Sequence, residues 1–205
     1  MNRSRRNLLL GGLSAAGLLG GALWLPYADS WERISVASAW LCMVLLCSAL
    51  LIGPLRRYAG KTASLNIYFR RDLAFWSALQ AFLHFYAGTV VSMDQSYVQA
   101  FVHVDLAPWS LGMRDQMFGW GASLGMIVAL VYLLLLSISS DRAMRLLRPA
   151  RWKKLQKSAH LVLWLTVLHG FAFQLLEARY VPLALLLAMT IVVLALQYRG
   201  RRRAD

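Results

Sequence analysis

The chain has 205 residues, of which 59% are hydrophobic and only 15% are charged, and its formal net charge is +13. A soluble domain of this length could not cover so much apolar surface with so few charged side chains, so the composition excludes a soluble globular protein. It predicts an integral membrane protein that forms one compact helical domain.

Six apolar stretches follow one another along the chain, and each has about the length that an α-helix needs to cross a bilayer, roughly 20 residues. They predict an all-α, polytopic membrane bundle of six transmembrane helices. The predicted spans are Leu8–Tyr27, Ile34–Leu55, Leu73–Val91, Met117–Ser137, Ala159–Leu176 and Val181–Tyr198.

The first span raises a question of targeting. Its start, "SRRNLLLGG", resembles a twin-arginine signal, but no clean A-x-A cleavage site follows, and the run continues to the interfacial residues Trp24 and Tyr27. We expect a retained helix rather than a cleaved signal. The predicted organisation is an N-terminal helix in residues 1–33, a transmembrane domain in 34–198 and a basic tail in 199–205.

Basic residues alternate between the two sides of the predicted bundle, with 19 of the 22 lysines and arginines on one side. By the positive-inside rule, this asymmetry places both termini in the cytoplasm. The natural partners of the basic loops are then anionic lipid headgroups. A nucleic-acid-binding function is disfavoured, because no soluble basic fold is present to carry it.

Two histidines lie inside apolar spans at similar depth. His84 lies 12 residues after Asp72, or about 18 Å along a helix, and His169 lies 13 residues after Gln156, or about 20 Å. Two imidazoles at equal depth on different helices are suited to axial ligation of a haem iron within a bundle. The alternative, which depth alone leaves open, is that each histidine bonds across a helix interface.

The other two histidines are weaker candidates. His160 is nine residues before His169 and therefore faces the opposite side of the helix, near the cytoplasmic interface, where it is an interfacial residue or a ligand of a second site. His103 lies in the outer connection, for which we predict a surface or partner-contact role. Cys42 and Cys47 share one helix at a spacing that disfavours a disulfide, and no C-x-x-C-H is present for a c-type haem.

Two stretches resemble the ferric-reductase-like transmembrane family. "RRDLAFWSALQAFLHFYAG" has the arginine pair, the aromatic-rich helix and the histidine of one family element, and "SSDRAMRLLRPARWKKLQKSAHLVLWLTVLHG" is similar to a second. The resemblance covers roughly Gly53–Gly170. Within the family, the chain resembles the haem-binding membrane subunits of bacterial methionine sulfoxide reductase systems.

The resemblance implies that His84 and His169 ligate a b-type haem. It also implies a multi-pass protein of the bacterial inner membrane that passes electrons to a periplasmic redox partner protein, as an electron-transfer subunit rather than a complete enzyme. The chain departs from the pattern at Gln156, where a further family histidine is expected, and an arginine, Arg70, lies opposite on the third span. We therefore expect one haem, or a rearranged second site at His160.

The electron donor is expected to be a quinol or a flavin such as FMN. A flavin phosphate could contact a set of inner basic residues, for which topology and lipid contact are the simpler roles: Arg70, Arg71, Arg151, Lys153 and Lys154. The outer segment Tyr97–Trp109 is the predicted docking surface for the redox partner. Two other functions stay open, a cofactor-free assembly or interaction protein and a stand-alone reductase of external metal ions.

Overall fold

The computed structural model of the chain describes residues 3–59, 67–92 and 113–202, and every regular element in these ranges is an α-helix. The predicted all-α class is therefore confirmed. The predicted docking segment Tyr97–Trp109 and His103 lie outside the described residues. The helices are α1 (Arg3–Trp24), α2 (Ser30–Ala59), α3 (Ile67–Ser92), α4 (Met113–Ser137), α5 (Asp141–Leu147), α6 (Pro149–Gln156), α7 (Ser158–Leu176) and α8 (Tyr180–Arg202).

Five helical segments of the described chain are long and apolar enough to cross a membrane: Arg3–Trp24, Ser30–Tyr58, Met117–Ser137, Lys154–Leu176 and Tyr180–Gly200. The α3 helix has 26 residues, enough in length, but it carries polar residues such as Ser77, Gln80 and His84 along its middle. Ser77 and Gln80 are almost completely buried, so their polarity is directed into the protein. The count of six spans stays a prediction.

The core of the bundle forms around α2. Its most extensive contacts are with α3, while α4 packs against α7, and α8 lies against both α2 and α7. Apolar side chains of these five helices meet in one cluster, to which they contribute, among others, Met43, Ala78, Val128, Val162 and Val193. The helices are therefore held together by one continuous apolar core.

The α1 helix is packed onto α2 and α3. Small residues allow the approach, since a Cβ atom on Gly17 would lie 2.8 Å from Leu41, and one on Gly21 would overlap Ala37. At the start of α1, Arg3 and Arg6 donate hydrogen bonds to the buried carboxylate of Asp72, at 3.3 and 2.9 Å. Arg6 of the N-terminal motif and Arg3 just before it therefore make a tertiary contact with α3.

Replacing Gly21 by leucine is expected to displace α1, because the new side chain would meet the backbone and side chain of Ala37. We expect a lower melting temperature for the detergent-purified protein. The matched control is Gly20→Leu, whose Cβ would meet nothing within 4 Å. Equal melting temperatures for the two variants would contradict this packing.

The connection between α4 and α7, predicted from the sequence as a loop, contains two short helices. Ser140 accepts a hydrogen bond from the Ala143 amide and caps α5, and Pro149 provides the first turn of α6. Trp152 is buried, and its indole N–H donates to the Ile138 carbonyl at 2.9 Å. The tryptophan of the second family-like element thus fixes α6 against the end of α4.

Candidate haem-binding site

The imidazole rings of His84 and His169 lie next to each other between α3 and α7, in an edge-to-face arrangement. Their ring centroids are 5.8 Å apart, and the ring planes make an angle of 81°. Arg70 near the start of α3 and Ala159 near the start of α7 line one small cavity, so the two helices begin close together. Residues at similar distances along the two helices therefore lie at the same level. The structure therefore brings together the two residues that the sequence singled out by depth.

The orientation of His84 is set by α2. Its Nδ1 atom lies 2.9 Å from the Ser35 carbonyl oxygen and 3.2 Å from the Ser35 hydroxyl. A carbonyl can only accept, so the shorter contact identifies Nδ1 as the N–H donor and leaves the lone pair on Nε2. A histidine held in this way through one nitrogen presents the other as a metal ligand.

His169 is held in the same manner by α4. Its Nδ1 atom donates to the Gly121 carbonyl oxygen at 2.8 Å, which again leaves the Nε2 lone pair available. The ring lies against Gly125, where a Cβ atom would come within 2.9 Å of Cε1 and 3.0 Å of Nδ1. The absence of a side chain at Gly125 is therefore a condition for this position of the ring.

A cavity of about 420 Å³ contains both histidines. This volume falls in the usual range of small-molecule and cofactor sites, roughly 300–1,000 Å³. Phe118 and Phe173 form an edge-to-face pair at its wall, with the Phe173 ring 5.0 Å from that of His169. Small residues widen the space, and they include Ala39, Ala81, Gly88, Ala122 and Gly125.

The separation of the two rings suits a metal ion that both imidazoles would hold. Such an ion would separate the ring centroids by about 6 Å, from two metal–nitrogen bonds of about 2 Å and a ring radius of about 1 Å on each side. The observed 5.8 Å is close to that value.

Two polar atoms of the lining are buried without a hydrogen-bond partner among the described residues, Thr166 Oγ1 and Gln174 Oε1. Buried polar atoms are normally bonded, since leaving one unsatisfied costs about 1–3 kcal/mol. Both atoms belong to α7, on either side of His169. They are positioned to hydrogen-bond with a polar group of a molecule in the cavity.

A second, smaller cavity of about 50 Å³ lies toward the Arg70 end of α3, where Arg70, Arg71 and Gln156 line it together. The Arg71 guanidinium donates to the Ser139 carbonyl at this level. The space suffices for a few water molecules and not for a macrocycle. Arg70 and Gln156, which the sequence placed opposite each other, thus line one cavity.

A hydrogen-bonded polar cluster connects the linings of the two cavities. The Ser77 hydroxyl donates to the Cys42 carbonyl at 3.0 Å, and the Tyr132 hydroxyl lies 2.8 Å from Ser77 Oγ and 3.4 Å from Cys42 Sγ. Cys42 lines the large cavity and Tyr132 the small one. Both Cys42 and Cys47 are buried free thiols, as their spacing predicts.

The remaining candidates are dispersed. Arg151 and Lys154 are exposed on α6 and do not line either cavity, and the side chain of Lys153 lies outside what the structure describes. His160 approaches the Lys157 carbonyl at 3.2 Å with Nδ1 and takes no part in the His84–His169 pair. The predicted phosphate set is therefore not assembled into one site in the described part of the chain.

Sequence reasoning missed Ser35, Gly121 and Gly125, which orient the two histidines. The available signal was the spacing of Gly121 and Gly125, four residues apart and therefore on one face of α4. Ser35 gave no comparable signal, because its shorter contact is made by a backbone carbonyl, which every residue has.

No protein-family model and no curated protein sequence matches this chain. The family resemblance accordingly rests on the motifs quoted above, and the site is interpreted from its own geometry.

Proposed function

We propose that this chain is a membrane b-type cytochrome subunit that binds one haem between His84 and His169 and passes electrons to an external redox partner. One observation carries the proposal. Two imidazoles are each hydrogen-bonded through Nδ1 to a backbone carbonyl of a neighbouring helix. Their ring centroids lie 5.8 Å apart in a largely apolar cavity of about 420 Å³. Buried histidines that only bridged helices would not need this shared cavity.

The chain's own residues would hold the haem and control its surroundings. His84 and His169 would hold the iron through their Nε2 atoms, and a haem held by two imidazoles would supply electron transfer rather than oxygen or substrate chemistry. Ser35 and Gly121 fix the ring orientations and keep Nε2 unprotonated, and hydrogen bonds of this kind also make an imidazole a stronger ligand. The apolar walls exclude water from the ring edges.

A single haem is favoured by the contrast between the two cavities. The smaller cavity has a volume of about 50 Å³. Gln156, at the position where the family pattern has a further histidine, lines this cavity together with Arg70. An amide and a guanidinium are poor iron ligands beside a neutral imidazole. His160 belongs to the lining of neither cavity, which argues against a rearranged second haem.

The proposed setting is the bacterial inner membrane, with six spans and both termini in the cytoplasm, as the distribution of basic residues predicts. Electrons would come from a quinol or a flavin on the inner side. They would leave to a periplasmic protein, such as the catalytic subunit of a methionine sulfoxide reductase. The chain is then one part of an oxidoreductase system.

Reduction of the haem by candidate donors tests this function. We expect the haem of the purified, haem-loaded protein to be reduced within seconds by a soluble quinol such as duroquinol or by reduced FMN. When the same protein is placed in sealed vesicles, we expect its haem to be reoxidised by a protein acceptor added outside them. Transfer of these electrons from the quinol or reduced FMN to free ferric or cupric ions, with no protein acceptor present, would favour the metal-ion reductase instead. A folded protein that takes up no haem would favour the cofactor-free interaction protein.

A further inference from the structure

The polar end of the haem cavity is formed by charged residues near the connection between α7 and α8. Glu32, Glu177 and Arg179 all line the cavity there, and Arg179 is the one cation among the described lining residues. The rest of the lining is mainly apolar or small. Any anionic group of a molecule in this cavity would therefore be stabilised best at Arg179, because an unpaired buried carboxylate is costly.

A turn at the end of α7 determines the position of the Arg179 backbone. The Arg179 amide donates to the Gln174 carbonyl at 2.8 Å and the Ala178 amide to the Leu175 carbonyl at 3.1 Å, the bond pattern of a Schellman motif at the end of α7. Ala178 has φ of 50°, in the left-handed region that this motif requires. The turn reverses the chain within three residues and leaves Arg179 in the cavity lining.

The guanidinium of Arg179 is partly buried and already bound to a carboxylate. It donates to Glu32 Oε1 at 2.5 Å, and its Cζ atom lies 4.5 Å from the centre of the Tyr27 ring. The side chains of Arg179 and Glu32 are 22% and 29% exposed. A planar guanidinium has five N–H donors, so it can bind a second carboxylate or exchange one for another.

We propose that Arg179 recognises a propionate carboxylate of the haem, and that Glu32 competes with that propionate for the same guanidinium. The inference rests on the proposed haem-binding function. Haem carries two carboxylates on one edge and a largely apolar ring. The cavity has a matching asymmetry, because its charged lining residues, Arg179 included, lie near the α7–α8 connection while the rest of its lining is mainly apolar or small. Glu32 and Glu177 repel a propionate, so the attraction comes from the cation.

The test compares haemin with its dimethyl ester, in which both carboxylates are masked while the iron and the ring are retained. Apoprotein in detergent is titrated with each compound, and the formation of the low-spin spectrum gives the dissociation constant. We expect wild-type protein to bind haemin about tenfold or more tightly than the ester, the size expected for one charge-assisted hydrogen bond.

Arg179→Gln is expected to weaken haemin binding about tenfold and to leave ester binding unchanged, which removes the preference. Arg179→Lys should retain part of it, because the charge remains while the two-pronged geometry is lost. Glu32→Gln should strengthen haemin binding a few-fold and leave the ester unaffected, since the competing carboxylate is removed. Arg199→Gln, the same charge change at the far, exposed end of α8, serves as the control.

Two results would overturn the assignment of Arg179. Unchanged haemin binding in Arg179→Gln would exclude recognition by this side chain, and an equal loss for haemin and ester would indicate a general structural effect. Both results require wild-type protein that binds haemin, so they leave the proposed function intact. Wild-type protein that forms a low-spin complex with neither compound would refute the proposed function together with this inference.

Discussion

Substitution of His84 or His169 by alanine is expected to abolish the low-spin haem spectrum. Each imidazole occupies one axial position in the proposed complex, and no other histidine lines the cavity among the described residues. Removal of one ligand should leave a five-coordinate, high-spin iron that is retained weakly. We expect the haem content after purification, measured by the pyridine haemochrome absorbance, to fall at least about tenfold. This corresponds to a loss of roughly 1.4 kcal/mol or more of binding free energy.

His160→Ala is the matched control, because the one hydrogen bond of the His160 ring within the described chain is to the Lys157 carbonyl of its own turn. It should retain the wild-type haem content and spectrum. Loss of half of the haem in this variant would instead point to a second site. Added imidazole should partly restore the low-spin spectrum of His84→Ala and of His169→Ala, which separates a missing ligand from a misfolded protein.

Replacement of Gly125 by valine is expected to have the next largest effect. The Cβ atom alone would lie 2.9 Å from His169 Cε1, so the ring would have to move and would lose its bond to the Gly121 carbonyl. Overpacking of this kind costs about 1–3 kcal/mol, which corresponds to a loss of haem affinity of about fivefold to 150-fold. Titration with haemin measures the change.

Gly119→Val is the control for Gly125→Val. Gly119 lies on the same helix, and this variant also replaces a glycine by valine. A Cβ atom at position 119 would meet nothing within 4 Å. If both variants bound haemin as wild-type protein does, the position of His169 beside Gly125 would not matter for binding. Equal weakening in both would indicate a general effect of valine on α4.

The helical class and the pairing of the two histidines could be predicted from the sequence because both depend on regular quantities. Apolar stretches of membrane-spanning length predict most of the long helices, and the rise of about 1.5 Å per residue places His84 and His169 at one level. The α3 helix is less apolar than the five candidate spans, and its assignment as a sixth span stays a prediction. Its buried Ser77 and Gln80 face the protein rather than lipid, and average hydropathy cannot distinguish these two environments.

The details that orient the site could not be predicted from the sequence. Backbone carbonyls of Ser35 and Gly121 hold the rings, and their role depends on the rotation of α2 and α4 about their axes. The pairing of Arg179 with Glu32 joins residues 147 positions apart through a turn at Ala178, where alanine adopts a conformation that glycine usually occupies. Such contacts follow from tertiary packing and leave little local signal.

The most direct test of haem ligation by this chain is the absorption spectrum of the detergent-purified wild-type protein, oxidised and dithionite-reduced, with the haem content per chain determined on the same sample. We expect a low-spin b-type spectrum and a stoichiometry near one haem per chain. A well-folded protein that binds no haem when haem is supplied, or that binds it only in a high-spin form, would contradict the assignment of His84 and His169 as the axial pair.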